Sequence, residues 1–114
     1  MYEDLFGGAI SLTAKQFTEA NGFSNSYTGW GGEDDDLRRR LDLTALKIIR
    51  YSPNIASYRM MLHPKVLPIS NERYAKLLST KDNFDSDGLN SLKYRVESNN
   101  SFPLHSLIDV KFLS

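Results

Sequence analysis

No cysteine occurs in the 114 residues. Disulfide staples and thiolate metal centres are therefore excluded, although many lumenal domains lack bridges and the compartment stays open. Nor is there a surplus of either charge. Fourteen basic residues offset fourteen acidic ones, so no electrostatic case for nucleic acid or an anionic membrane follows. No apolar run approaches the roughly 20 residues of a membrane span. The opening Met1-Tyr2-Glu3-Asp4 lacks the basic-then-apolar form of a signal peptide. As written, the chain is expected to remain in the cytosol unless it is a fragment. What is present, 40% hydrophobic and 11% aromatic residues, supports a modest core and argues against wholesale disorder. The length fits one small domain or a piece of a larger one.

The densest chemistry lies in Gly29-Trp30-Gly31-Gly32-Glu33-Asp34-Asp35-Asp36. Apolar burial does not account for it, because carboxylates are costly to desolvate and four adjacent ones repel. One reading is a helix start, with acids at the positive end of the helix dipole. Basic partners would then stand one turn on, pairing Asp34 with Arg38, Asp35 with Arg39 and Asp36 with Arg40. The other is a carbohydrate site in which Trp30 stacks on a sugar face and carboxylates grip hydroxyls. The two are compatible, since a helix start can present both N–H groups and carboxylates.

Around this block the chain reads as follows. Tyr2 to Ile10, centred on Phe6-Gly7-Gly8, reads first as a plain turn into a buried strand, the alternative being a short strand whose backbone approaches something closely. Thr13 reads as an N-cap for a helix over 14–20 with Phe17 inward, stopped by Asn21-Gly22. Residues 23–32 are rich in Gly, Ser and Asn and form a loop able to move. A helix over 33–43 would bury Leu37 and Leu41. Strands are predicted over 46–51 and 56–62, a loop over 64–69, and a helix over 71–78 capped by Ser70. Thr80 to Asn90 is turn-rich, and late strands over 92–96 and 107–113 flank a loop over 97–105. Three short helices and four or five strands make a mixed α/β or α+β domain.

Several blocks then occur in order: Phe6-Gly7-Gly8, Lys15-Gln16-Phe17, Asn21-Gly22-Phe23, the Gly29–Asp36 block, Arg59-Met60 with His63, and Asp87-Gly88-Leu89-Asn90-Ser91-Leu92. Together they resemble the C-terminal half of the catalytic domain of the animal β-1,4-galactosyltransferase family, over essentially the whole of 1–114. The resemblance implies a GT-A type, inverting, metal-dependent glycosyltransferase in the Golgi lumen. It would move a hexose from a UDP-sugar donor to the 4-hydroxyl of a terminal N-acetylglucosamine acceptor. Asp34 matches the family's base, which removes the acceptor proton as the oxygen attacks the anomeric carbon. Glu33 and Asp35 match residues that hold sugar hydroxyls. Trp30 matches the tryptophan of a small closing loop whose glycines, Gly32 among them, allow that movement.

Met60 and His63 match two ligands of a catalytic Mn²⁺, the third being an aspartate of an Asp-x-Asp motif. None lies upstream of Phe6, and Asp85-Ser86-Asp87 sits on the wrong side of the block and reads as a turn. Taken alone, the Met/His pair reads as core packing and a surface imidazole, and a thioether is a soft ligand for Mn²⁺. The segment from Met61 to about Ser79 resembles the family's long lid, slightly shortened. In it Arg73, Tyr74 and Leu77 match positions around the acceptor's N-acetyl group, Tyr74 standing where Phe is usual. Apart from the family, 71–78 is an amphipathic surface helix.

Phe6 and Gly8 match positions that bind the donor or acceptor sugar, and Leu5 stands where galactose-specific members carry tyrosine. The smaller side chain leaves room for a 2-acetamido group and implies that UDP-GalNAc is accepted. Thr28 replaces a second tryptophan, which weakens acceptor stacking or changes the preferred acceptor. The nucleotide-binding half, the stem and the N-terminal membrane anchor expected of a type II Golgi enzyme are missing, which implies a fragment or an incomplete gene product, inactive alone. Asn99-Asn100-Ser101 is a glycosylation sequon. The alternative is a non-catalytic carbohydrate-binding remnant of the same family.

Overall fold

A computed structural model describes residues 6–59, 61 and 71–113. The elements in order are α1 (Ala14–Glu19), α2 (Glu33–Asp42), α3 (Arg73–Leu78), α4 (Thr80–Asn83), a 3-10 turn (Leu89–Ser91), β1 (Tyr94–Ser101) and β2 (Ser106–Phe112). The two strands form one antiparallel sheet, so the described residues are a mixed α+β arrangement.

Helix α1 opens on a reciprocal cap. The Gln16 N–H donates to Thr13 Oγ1 at 3.2 Å, and the Thr13 N–H donates to Gln16 Oε1 at 2.9 Å. It closes through Asn21 and Gly22, both left-handed, with the Gly22 N–H returning to the Phe17 carbonyl at 2.9 Å. Phe17 is half-buried and meets Phe23 at a ring separation of 6.2 Å.

Helix α2 carries four acids in its first turn and Arg39 and Arg40 in its last, which suits the helix dipole at both ends. Its buried face is Asp36, Leu37, Arg40 and Leu41. Leu37 and Leu41 join Ala20 in the core, with Phe6, Leu12, Leu46 and Ile48 packed around them. Each leucine contributes roughly 1.5–3 kcal/mol of burial. The other half of that face is ionic. Arg40 Nε donates to Asp36 Oδ2 at 2.6 Å, and the Thr80 hydroxyl donates to Asp36 Oδ1 at 2.6 Å, tying α2 to α4. Asp36 and Arg40 are 2% and 0% exposed. Arg38 bonds Asp42 in the next turn, and Arg39 donates to the Leu77 carbonyl of α3. Asp36–Arg40 is thus the buried member of the three anticipated pairings.

Strand geometry departs from expectation in four places. Residues 46–51 make no ladder among the described residues, although their alternation is real: Leu46 and Ile48 face the core while Lys47 and Ile49 face out. Residues 56–59 are irregular and exposed, and 60 and 62 lie outside the described residues. Residues 6–10 are irregular as well. Strand β1 runs on through Ser101, so most of the expected 97–105 loop is sheet, paired Ser98↔Asp109, Asn99↔Ile108, Asn100↔Leu107 and Ser101↔Ser106. Cross-strand pairing overrides the low strand propensity of Ser and Asn. The bulge between Val96 and Ser98 absorbs one residue, and Tyr94, Val96, Ile108, Val110 and Phe112 share one face. Helix α3 starts at Arg73, two residues later than 71–78 implies, and the Ser70 cap lies outside the described residues.

Replacing Arg40 by Met leaves Asp36 buried without its cation. We expect a loss of about 3–5 kcal/mol in chemical denaturation, against less than about 1 kcal/mol for Lys15→Met on the exposed face of α1.

Candidate functional site

The site is assembled at the start of α2. Gly32 takes the N-cap position at φ +102°, a conformation open to glycine and strained for other residues. Space demands glycine there too: a Cβ would lie 2.9 Å from Tyr27 Cε1 and 3.2 Å from Arg73 Cβ. The loop is thus squeezed between the Tyr27 ring and α3. The Gly31 N–H donates to Glu33 Oε2 at 3.1 Å, folding Glu33 back over the loop. The Asp35 N–H donates to Asp34 Oδ1 at 2.9 Å. The second oxygen of Asp34 faces the backbone at Gly7, where a Cβ would come within 2.1 Å of Oδ2. The Phe6-Gly7-Gly8 stretch does approach something closely, namely the Asp34 carboxylate.

A cavity of about 340 Å³ lies beside this turn, lined by Gly32, Asp35, Arg73, Tyr74 and Leu77. All five are residues picked out from the sequence, joined here from two segments forty positions apart in the chain. Arg73 and Tyr74 are coupled: Arg73 Nη2 donates to the Tyr74 hydroxyl at 3.2 Å, and the guanidinium sits 4.8 Å from the Tyr74 ring centroid. Leu77 is buried beneath them, while Tyr74 is 65% exposed. A carboxylate, a guanidinium, an aromatic ring and an aliphatic floor suit a small ligand that mixes hydroxyl and C–H surface, and the volume is at the low end of ligand sites.

The remaining expected residues fall elsewhere. Trp30, 51% exposed, stands on the loop and does not line the cavity. Phe6 packs against the core cluster, and Gly8 faces open space. Leu5, Met60 and His63 lie outside the described residues. Among the described residues no group of three His, Asp or Glu converges in a way that could hold a metal ion. Two residues outside the expected set matter to the geometry. Gly7 was visible as one of an adjacent glycine pair. Tyr27 carried no signal, since its role depends on folding under Gly32. Lys76 of α3 reinforces it, donating to the Ser26 carbonyl at 2.8 Å and lying 5.7 Å from the Tyr27 ring centroid.

Burial, and then the neighbouring Asp36 carboxylate, push the Tyr27 phenol up from its ordinary value. No helix among the described residues is long and apolar enough to cross a membrane.

A family model described as the N-terminal domain of galactosyltransferase matches residues 1–64, more than half of the chain, and the chain belongs to the galactosyltransferase family. It is 42% identical over 113 residues to beta-1,4-galactosyltransferase 4 of Rattus norvegicus, an alignment covering 97% of this chain and 33% of that protein. It is 42% identical over 111 residues to beta-1,4-galactosyltransferase 2 of Cricetulus griseus (96% and 30%). Beta-1,4-galactosyltransferase 3 of Rattus norvegicus is 38% identical over 109 residues (94% and 28%). The chain thus spans about a third of the length of the curated relatives it matches.

The upward shift at Tyr27 has a pH consequence. With the folded value above the unfolded one, stability is complete below about pH 10 and falls as pH rises beyond it, because only the unfolded chain releases the proton. In thermal melts, Tyr27→Phe should flatten this alkaline decline while leaving the neutral-pH dependence unchanged.

Proposed function

We propose that the chain is the C-terminal half of the catalytic domain of an inverting, metal-dependent GT-A glycosyltransferase. Although the matching family model is described as an N-terminal domain, the order of motifs, with the Gly-Trp-acidic block ahead of Asp87–Leu92, supports this placement. The enzyme transfers galactose or N-acetylgalactosamine from a UDP-sugar to the 4-hydroxyl of terminal N-acetylglucosamine on glycoproteins or glycolipids. The parent protein works in the Golgi lumen, held to the membrane by an N-terminal anchor. The observation that carries this reading is the cavity that joins Asp35 of the acidic block to Arg73, Tyr74 and Leu77 of α3.

The acceptor's N-acetylglucosamine occupies this cavity, its acetyl methyl against Tyr74 and Leu77 and its hydroxyls toward Asp35. Asp34, next in the chain, takes the proton from the 4-hydroxyl as that oxygen bonds to the anomeric carbon. The bond from that carbon to the diphosphate oxygen breaks on the opposite face, and UDP leaves. The close passage of Gly7 limits where the Asp34 carboxylate can point, and a base held in one orientation is the more effective for it. Glu33 holds a further sugar hydroxyl, and Trp30 swings over the bound sugars. Phe6 and Gly8 belong to the donor side. Mn²⁺ is the proposed cation, and when bound it would neutralise charge on the departing diphosphate. Met60 and His63 would supply a thioether and an imidazole. These two donors alone do not make a site for a cation that favours oxygen ligands.

In the full-length enzyme, Asp34→Asn should lower kcat by at least about 100-fold, the lower range of general-base contributions, with an unchanged melting temperature. Glycan binding without transfer by the unsubstituted enzyme would instead support a carbohydrate-binding relative. For the donor, Leu5 predicts turnover of UDP-GalNAc at least equal to that of UDP-Gal. A strong galactose preference that Leu5→Tyr leaves unchanged would rule out Leu5 as the determinant.

A further inference from the structure

The loop that carries Trp30 is held at its base by a residue from far along the chain. Asp87 Oδ1 accepts the Asn25 N–H at 2.8 Å, and Asp87 Oδ2 accepts the Ser24 hydroxyl. Asn25 returns two bonds, donating from Nδ2 to the Gly88 carbonyl at 2.7 Å and to Ser91 Oγ at 3.1 Å. Just before it, Asn21 accepts the Leu89 N–H at 2.7 Å on its carbonyl and the Asn90 N–H at 3.0 Å on its side chain. Residues 21–25 are therefore clasped along the Asp87–Ser91 block.

The charge of Asp87 has its own partner. Arg40 Nη2 lies 3.7 Å from Asp87 Oδ2, while Arg40 Nε holds Asp36. Asp36 belongs to α2, which begins where the loop ends. Both ends of the Trp30 loop are thus fixed to one buried guanidinium, the near end through Asp87 and the far end through Asp36. Between these ties Trp30 itself is half exposed.

We infer that Asp87 is a positioning residue, which fixes the near hinge of the Trp30 loop so that movement is confined to the residues after Asn25. The inference rests on the reading of Trp30 as the group that closes over bound sugar. A loop with an anchored base has fewer arrangements to lose on closure, so loosening the base weakens acceptor capture more than it slows chemistry.

Two variants test this in the full-length enzyme. Asp87→Asn removes the charge, and Ser24→Ala removes one bond to Asp87 while leaving the Arg40 contact in place. Hydrogen exchange at the Asn25 amide should quicken by about tenfold in each, the scale of one lost hydrogen bond. KM for an N-acetylglucosamine-terminated acceptor should rise by a similar factor. In a Trp30→Ala background Ser24→Ala should no longer change KM, because its effect runs through the loop; a purely structural role would leave the Ser24→Ala effect intact there. Unchanged exchange and unchanged KM in both variants would overturn the inference. An unsubstituted enzyme that transfers no sugar would overturn the functional reading, and the exchange measurement would still decide on the clasp.

Discussion

The wholly buried guanidinium of Arg40 is the constraint on which the rest depends. A cation removed from water must be matched, and here Asp36 matches it at hydrogen-bond distance, Asp87 faces it from the loop side, and its Cζ lies 5.9 Å from the Phe84 ring centroid. Such a pair adds little net stability compared with an apolar replacement, but its geometry is exacting, because either partner left alone is costly. That exactness fixes the elements around it. Helix α2, the Ser24–Asn25 loop base and Thr80 of α4 meet at this cluster, so the start of α2 is held from several directions while remaining open to solvent.

The four consecutive acids divide along the helix turn. Asp36 turns inward and becomes structural. Glu33, Asp34 and Asp35 stay half-buried at the open end of the helix, where the positive end of the dipole offsets their mutual repulsion. The helix-start reading of the block thus holds, with Asp36 as its buried member, and leaves Glu33, Asp34 and Asp35 as the acids at the solvent-facing end of the helix. Arg73 and Tyr74 complete the arrangement from α3, which is drawn against α2 by Arg39 on the Leu77 carbonyl and against the loop by Lys76 on the Ser26 carbonyl.

Much of this is legible in the sequence. Thr13 and Asn21-Gly22 delimit α1, and the acid-first, arginine-last order with Leu37 and Leu41 marks α2, because caps and helical spacing are local properties. The strand over 46–51 was half legible: alternation told which side chains face the core, but a ladder also needs a partner, and no described segment supplies one. Ser98 to Ser101 read as loop because their polarity outweighed a pairing that only the register with 106–109 reveals. Which acid of the block turns inward was invisible, since it depends on Thr80, 44 residues away. Family resemblance collected the residues of the cavity, but not Gly7 or Tyr27, whose importance lies in how closely backbone and ring approach their neighbours.

The most direct measurement is a transfer assay on the full-length protein with each UDP-sugar and a GlcNAc-terminated acceptor, followed by determination of the linkage and anomeric configuration of the product. An inverting transferase of the proposed kind gives a single new β-linked sugar on the 4-hydroxyl. Specific binding of the acceptor with no transfer from either donor, or a product of retained α configuration, would contradict it.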